Sequence, residues 1–288
     1  MNDYSTKRQS ARIERLPSFM EDGFDLEAFQ VELAKTKKKK RNPALSVALN
    51  LMLALLLSLV AYQVYVIAKY YYDLEQNRVQ SEEARAIFGE AGLNRSLVPL
   101  LSVSFKNPDV VAYLDIPGAG ISYPVVRGKD NGAYLKRGFD GKSNAAGAIF
   151  MDSACEPLGL ASRNYVICGH DMKNETMFHN LRYYNSDWQF FKENMEINLV
   201  FRDCVAKWEV YAAYRVSTGF NYDQVVFEND YEFMELLDNI QYKAAIKTDA
   251  ELGPDDKILT LSTCPNAKES ERLVVNARLV EVIMFDAP

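Results

Sequence analysis

One cysteine stands among hydroxyl residues at the end of a strand-like run, residues 257–264. Side chains alternate between the two faces of a strand, so Leu259 and Leu261 share one face. Ser262 and Cys264 share the other face with a threonine. A buried structural cysteine usually has apolar neighbours, so the pattern indicates a thiol with a chemical role.

A second strand-like run begins at Arg272, after a short polar loop. If the two runs pair as a hairpin, Cys264 and Arg272 lie close together at its open end. A guanidinium beside a thiol favours the thiolate. It can also donate hydrogen bonds to an oxyanion.

A cysteine nucleophile needs a proton partner, and the chain has only two histidines, His170 and His179. His170 follows a strand-like run and stands among turn residues, so it is the predicted partner. His179 lies in a helical context, which favours packing or a surface position over direct catalysis. Two histidines and four cysteines without a CxxC pair predict no metal site and no cofactor.

The elements that must position these residues are mostly strands. Eight runs are rich in Val, Ile, Tyr and Phe and are separated by Gly, Asn, Asp and Pro. They cover residues 110–116, 121–126, 147–152, 164–168, 195–203, 205–216, 257–263 and 271–284. Eight strands in one domain favour a barrel or a sandwich.

Helices interrupt the strands. An apolar stripe with helical spacing predicts a helix over residues 229–242, which packs on the barrel or helps to shape a substrate groove. Shorter helical pieces are predicted around residues 176–184 and 187–193. A charged, helix-favouring segment at residues 70–92 precedes the first strand.

The N-terminal third contains an uncharged apolar run of 25 residues, Ala44–Ala68. A helix of that length covers the ~30 Å hydrocarbon core of a bilayer. The basic run at residues 37–41 precedes it, so the positive-inside rule places the N-terminus in the cytoplasm and residues 69–288 outside. The predicted organisation is a cytoplasmic basic tail (1–43), a transmembrane helix (44–68), a helical lead-in (69–104) and a catalytic domain (105–288).

The charge distribution argues against a nucleic-acid partner. Residues 44–288 carry 23 Lys and Arg against 32 Asp and Glu. Nucleic-acid binding needs a basic face. The expected non-protein partner is therefore the lipid bilayer, which the apolar run enters and whose anionic head groups the basic run can contact.

Three motifs closely resemble those of sortases, the membrane-anchored cysteine transpeptidases of Gram-positive bacteria. They are TLSTC at residues 260–264, an Arg followed by LVV at residues 272–275, and GHDM at residues 169–172 followed by MF..L at residues 177–181. The resemblance extends upstream through residues 107–135 and 147–152. The helix before the catalytic strand is similar to the extra helix of class B sortases.

The resemblance implies an eight-stranded sortase-type β-barrel with N-terminal helices. It implies Cys264 as nucleophile, His170 as general acid and base, and Arg272 as the residue that orients substrate and stabilises the oxyanion. Ser262 and Thr263, next to the cysteine, are further candidates for substrate binding. The family cleaves a C-terminal sorting motif after Thr through a thioester, and an amine of a peptidoglycan cross-bridge or a pilin then accepts the surface protein.

The sequence departs from the family pattern at three positions. Asp171 replaces an Asn that commonly follows the histidine, and either favours the imidazolium or points to solvent. Cys168 stands where Tyr is common, which leaves a regulatory disulfide with Cys264 open. Pro265 has no N–H, although the amide after the cysteine is a proposed oxyanion donor in sortases. Two other functions therefore stay open: a catalytically silent binding module on the same barrel, and a hydrolytic cysteine peptidase.

Overall fold

The structure is a computed structural model of the 288-residue chain. It describes residues 42–91, 106–158, 160–217, 219–264 and 271–285, together with residues 27, 28, 30, 31 and 104. Pro265 and most of the predicted cytoplasmic tail lie outside these residues, as do residues 92–103 of the predicted lead-in. The chain divides into two compact units, residues 1–64 and 65–288.

The first described element is one long helix, α1 (Pro43–Ala91). Pro43 suits the first turn, where its missing N–H leaves no hydrogen bond unmade. Residues 43–76 are long and apolar enough to cross a membrane, and they contain an 18-residue stretch with a mean hydropathy of 2.4 and no buried residue. The predicted transmembrane run and the charged segment after it therefore belong to a single continuous helix.

Within the second unit, the later part of α1 contacts loops of the β-domain. Asp73 is buried, and its main-chain oxygen accepts a hydrogen bond from the Asn144 amide at 3.3 Å. The Asp73 carboxylate accepts another from the backbone N–H of Ala145 at 3.3 Å. Farther along, the Arg85 guanidinium donates to the main-chain oxygen of Gly120 at 2.7 Å.

The β-domain contains nine strands and three short to medium helices among its described residues. The strands are β1 (Val110–Ile116), β2 (Ile121–Val126), β3 (Ile149–Met151), β4 (Asn164–Gly169), β5 (Glu196–Val200), β6 (Cys204–Ser217), β7 (Ile246–Lys247), β8 (Ile258–Thr263) and β9 (Glu271–Met284). The helices are α2 (Arg182–Ser186), α3 (Trp188–Glu193) and α4 (Asp230–Lys243). A 3-10 turn, His179–Leu181, leads directly into α2.

Eight of the strands close into a barrel. Their order is β5-β1-β2-β3-β4-β8-β9-β6, and β6 pairs again with β5 to complete the ring. The two-residue β7 adds to the outside edge of β6. All eight predicted strands are present, so the predicted eight-stranded barrel is confirmed, with small shifts of the strand ends.

The two faces of β8 pack into different surroundings. Leu259 and Leu261 lie in the main apolar core. Ile258, on the opposite face, packs in a separate cluster with apolar residues of α4. Helix α4 buries the four residues of its predicted stripe in that cluster, Phe233, Leu236, Leu237 and Ile240.

The helical segment before β5 differs from its prediction. The helix expected around residues 176–184 is a 3-10 turn followed by α2, so regular helix begins only at Arg182. Residues 170–178 instead form a tight hairpin, in which Asp171 and Met177 make an isolated bridge. The helix expected at 187–193 is α3, and Asp187 caps it by accepting hydrogen bonds from the N–H groups of Gln189 and Phe190.

Candidate functional site

The parallel pairing of β4 with β8 brings Cys264 and His170 together. Six residue pairs align in register, from Asn164 with Ile258 to Gly169 with Thr263. One residue farther on, the Cys264 backbone N–H donates to the Gly169 main-chain oxygen at 2.8 Å. The two predicted catalytic residues are thus the first residues after the ends of two neighbouring strands.

The His170 ring is held by the backbone of the loop between β2 and β3. Its Nε2 lies 3.0 Å from the main-chain oxygen of Leu135. A carbonyl oxygen only accepts, so we infer that Nε2 carries the ring proton and that Nδ1 is the basic nitrogen. Gly147, with φ +63°, approaches the ring so closely that a Cβ there would lie 3.0 Å from Cδ2 of His170.

The Cys264 thiol is buried, with 8% of its surface exposed. It belongs to an apolar cluster that includes Ala148 and Phe150. Burial raises the pKa of this thiol to about 11, although the Arg272 guanidinium acts in the opposite direction. The thiol is therefore protonated near neutral pH, and a thiolate forms only when a base removes the proton.

Strands β8 and β9 pair as the predicted antiparallel hairpin, with Ser262 opposite Val274. Continuing that register by two residues on each strand places Arg272 opposite Cys264. The Arg272 side chain is 27% exposed, and its Nη1 lies 3.8 Å from a carboxylate oxygen of Asp223. Its buried Nε–H has no hydrogen-bond partner among the described residues, so this donor is available to a ligand.

Arg272 is fixed by Tyr222, a residue that the sequence analysis did not select. Nη1 of Arg272 donates to the Tyr222 hydroxyl at 2.5 Å, and that hydroxyl lies 2.9 Å from Oγ of Ser262. Burial raises the pKa of Tyr222, so the hydroxyl keeps its proton. Since the Ser262 hydroxyl donates to the main-chain oxygen of Thr263 at 3.4 Å, we infer that the Tyr222 proton is donated to Oγ of Ser262.

The segment that carries Tyr222 is attached to the barrel by buried polar residues. The Asn164 amide donates to the main-chain oxygens of Tyr222 at 3.5 Å and Gln224 at 2.9 Å. The other end of the Asn164 amide accepts from the Thr260 hydroxyl at 2.7 Å, which itself accepts from Asn276 at 2.8 Å. This network connects β4, β8 and β9 to the segment over them.

The hydroxyls of Ser262 and Thr263 already have partners in the protein. Ser262 is completely buried and bonds to Tyr222. Oγ1 of Thr263 accepts from the backbone N–H of Leu273 at 2.9 Å. These contacts support the position of Arg272 and the pairing of β8 with β9, and direct substrate binding by either hydroxyl stays a prediction.

Two further predicted features concern Cys168 and Asp171. All four cysteines carry free thiols. Cys168 pairs with Ser262, two residues before Cys264, and strand spacings place such diagonal Cα atoms about 8 Å apart, beyond the disulfide range. Asp171 does not point freely to solvent, because its carboxylate bonds to His179 and Arg182.

Comparison with known proteins identifies the family of this barrel. The family model for the sortase domain matches residues 114–280. Sortase B of Staphylococcus aureus is 34% identical over 180 residues, which cover 61% of this chain and 72% of that protein. Sortase B of Listeria monocytogenes is 27% identical over 216 residues, covering 73% and 87%.

Solved structures of the same family share the fold. A complex of Staphylococcus aureus sortase B with a substrate has a TM-score of 0.68 at 29% identity, covering 73% of this chain and 99% of the other. Sortase B of Bacillus anthracis, bound to the compound AAEK1, has a TM-score of 0.65 at 31% identity, with the same coverage.

The pKa of Cys264 predicts both which thiol reacts and how the reaction depends on pH. Iodoacetamide alkylates thiolates. Since the thiolate fraction rises about tenfold for each pH unit below the pKa of about 11, alkylation of Cys264 should increase steadily with pH. Removing the guanidinium in Arg272→Ala raises that pKa further, so alkylation of Cys264 at about pH 8 should be slower than in the wild type.

Peptide mass spectrometry after limited labelling measures this reaction at each cysteine. Burial raises the pKa values of Cys155 and Cys204 to about 12, so both should react more slowly than Cys264. Earlier labelling of Cys155, Cys168 or Cys204, or unchanged labelling in Arg272→Ala, would contradict the assignment.

The contact between Tyr222 and Arg272 predicts that Tyr222→Phe slows acylation of the enzyme. A hydrogen bond to a charged group contributes about 1.5–3 kcal/mol, so the loss should be about 10- to 100-fold in single-turnover rate. Tyr214→Phe is the matched control, because the buried Tyr214 hydroxyl has no hydrogen-bond partner among the described residues. Equal rates in the two variants would show that Tyr222 does not hold Arg272.

Proposed function

This chain belongs to the sortase family of cysteine transpeptidases, and on that ground we propose that it is a class B-like sortase. It cleaves a C-terminal sorting motif after Thr and transfers the protein to an amine. The observation that carries the proposal is the parallel pairing of β4 with β8, which brings Cys264 beside His170. Arg272 on β9 supplies the third group.

Acylation begins with proton transfer within the site. Nδ1 of His170 accepts the proton of the Cys264 thiol as the sulfur attacks the Thr carbonyl carbon. The carbonyl oxygen becomes an oxyanion, which accepts hydrogen bonds from the Arg272 guanidinium. Collapse of this intermediate breaks the C–N bond, and the imidazolium of His170 returns the proton to the departing amine.

The thioester on Cys264 then reacts with an acceptor amine. Nδ1 of His170 removes a proton from the attacking amine, and the sulfur leaves and is protonated by the same histidine. The acceptors that we propose are the amines of a peptidoglycan cross-bridge or of a pilin lysine. The proposed donors are surface proteins with NPQTN-like or (S/P)PxTG-like sorting motifs.

The protonated thiol suits this order of events. A thiol with a pKa of about 11 is inert towards most electrophiles in the resting enzyme. Attack therefore depends on the concerted action of His170 and on a substrate carbonyl already aligned with Arg272. A buried, protonated thiol restricts reaction to peptides that fill the site.

Cleavage of a small peptide panel, with and without triglycine or a lysine peptide as acceptor, tests the proposal. We expect release of the tail beyond Thr, amide products when an amine is present, and a thioester on Cys264 when it is absent. Cys264→Ala and Cys264→Ser should form no acyl-enzyme, and His170→Ala and Arg272→Ala should lose most turnover non-additively.

The two alternative functions predict different products. A hydrolytic cysteine peptidase would release the free acid at the same rate whether or not an amine is present. A catalytically silent binding module would bind a peptide of the panel without cleaving it. Either result would overturn the transpeptidase proposal.

We also propose that α1 anchors the enzyme in the cell membrane as a single-pass helix. The supporting observations are the apolar helical residues 43–76 and the basic run at residues 37–41 before them. With the N-terminus in the cytoplasm, the catalytic domain lies outside, where sorting-motif proteins emerge and cell-wall amines are present.

Protease treatment of intact protoplasts tests this topology. The catalytic domain should be digested, whereas an epitope tag at the N-terminus should survive until the membrane is opened with detergent. A cytoplasmic enzyme serves as the control for leakage. A protected C-terminal domain in intact protoplasts would contradict the proposed orientation.

A further inference from the structure

The hairpin that follows β4 is closed directly on the backbone of His170. The backbone N–H of Phe178 donates to the main-chain oxygen of His170 at 2.9 Å. Within the hairpin, Glu175 has φ +62° and Met177 has φ +60°, the left-handed region that residues other than glycine seldom adopt. Such conformations cost free energy and persist only where other contacts hold the segment.

The Tyr123 hydroxyl supplies one of those contacts by accepting from the Met177 N–H at 3.0 Å, and the Asp171 carboxylate supplies others. Its Oδ1 accepts from Nδ1 of His179 at 2.9 Å. Nη2 of Arg182 lies 2.9 Å from Oδ1 and 2.7 Å from Oδ2. The Arg182 guanidinium also donates through Nε to the main-chain oxygen of His179 at 3.2 Å. The carboxylate of Asp171, near the start of the hairpin, is thus bound to two side chains that follow the hairpin in the chain.

Two of the three side chains in the cluster are shielded from solvent, Asp171 and His179. The exposed fractions of the Asp171 and His179 side chains are 16% and 10%. The Arg182 side chain is 40% exposed, and its Nη2 donates to both oxygens of the shielded carboxylate. Arg182 opens α2, so the carboxylate joins the start of the hairpin to a helix.

Asp171 has no direct contact with the catalytic imidazole in this arrangement. Nε2 of His170 lies on the main-chain oxygen of Leu135, whereas the Asp171 oxygens are bonded to His179 and Arg182. The contacts therefore connect Asp171 to His170 through the backbone of the hairpin. His179, the histidine that the sequence assigns to packing, is a member of the same cluster.

We propose that Asp171 is a positioning residue for His170. By binding Arg182 and His179, its carboxylate helps to keep the strained hairpin closed and so keeps Nε2 of His170 at the Leu135 oxygen. The inference rests on the proposed role of His170 in proton transfer. It adds a carboxylate, an arginine and the second histidine to the machinery of the site.

The kinetic test compares Asp171→Asn, Arg182→Ala and their double variant in full-length protein in detergent micelles. The asparagine keeps the shape of the side chain but loses the ion pair. We expect kcat for peptide cleavage to fall roughly tenfold, with KM within about twofold, because the substrate site is intact while the base is misplaced. The double variant should be no slower than the slower single variant.

Glu209→Gln is the matched control for loss of a charge pair. Arg278 donates to Glu209 through Nε at 2.9 Å and through Nη2 at 2.7 Å, on β9 and β6. We expect kcat to stay at the wild-type value in this variant. Equal kcat values in Asp171→Asn and Glu209→Gln, or additive losses in the double variant, would overturn the proposal.

A second readout does not require activity. With only two histidines in the chain, labelling with ¹⁵N-histidine gives two sets of ring signals, which His179→Gln assigns. His170 should show a fixed Nε2–H tautomer in the wild type and a mixture of tautomers in Asp171→Asn. Unchanged His170 signals in Asp171→Asn would refute the positioning role even if the rate fell. A tautomer change in a protein that cleaves no peptide would refute the proposed function instead.

Discussion

The site depends on one interaction, the parallel hydrogen-bonded pairing of β4 with β8. Parallel strands run in the same direction, so residues that follow their ends emerge at the same edge of the barrel. The bond from the Cys264 N–H to the Gly169 oxygen extends this register to the reacting residues themselves. A shift by one residue would turn Cys264 to the opposite face of β8 and separate it from His170.

Hydrogen bonds within the protein hold the side chains around this pair in place. Arg272 is held by Tyr222 and Ser262, the segment of Tyr222 is held by Asn164, and His170 is held by the Leu135 oxygen. Each of these side chains has its hydrogen bonds directed before substrate arrives, so little reorganisation remains for the reaction. Burial also keeps the thiol protonated, which makes activation dependent on His170.

The sequence predicted the strands and the site residues because both depend on local patterns. Val-rich and Ile-rich runs identify strands. A cysteine and a histidine after such runs, and an arginine at the start of another, identify the edge of the barrel where the three residues meet. The role of Tyr222 could not be predicted, since 40 residues separate it from Ser262 and only tertiary folding joins them. The contacts of Asp171 could not be predicted for a similar reason, because its partner Arg182 lies 11 residues away, beyond the hairpin. Closure of the barrel by β5 and β6 likewise depends on pairing.

The central claim is that Cys264, His170 and Arg272 act on one carbonyl. A crystal structure of the protein covalently bound to a thiol-reactive sorting-motif mimic tests this most directly. The account predicts a bond to Sγ of Cys264, with Nδ1 of His170 facing the sulfur and the carbonyl-derived oxygen within hydrogen-bond distance of the Arg272 guanidinium. An oxygen directed away from Arg272, or a His170 ring turned so that Nε2 faces the sulfur, would contradict it.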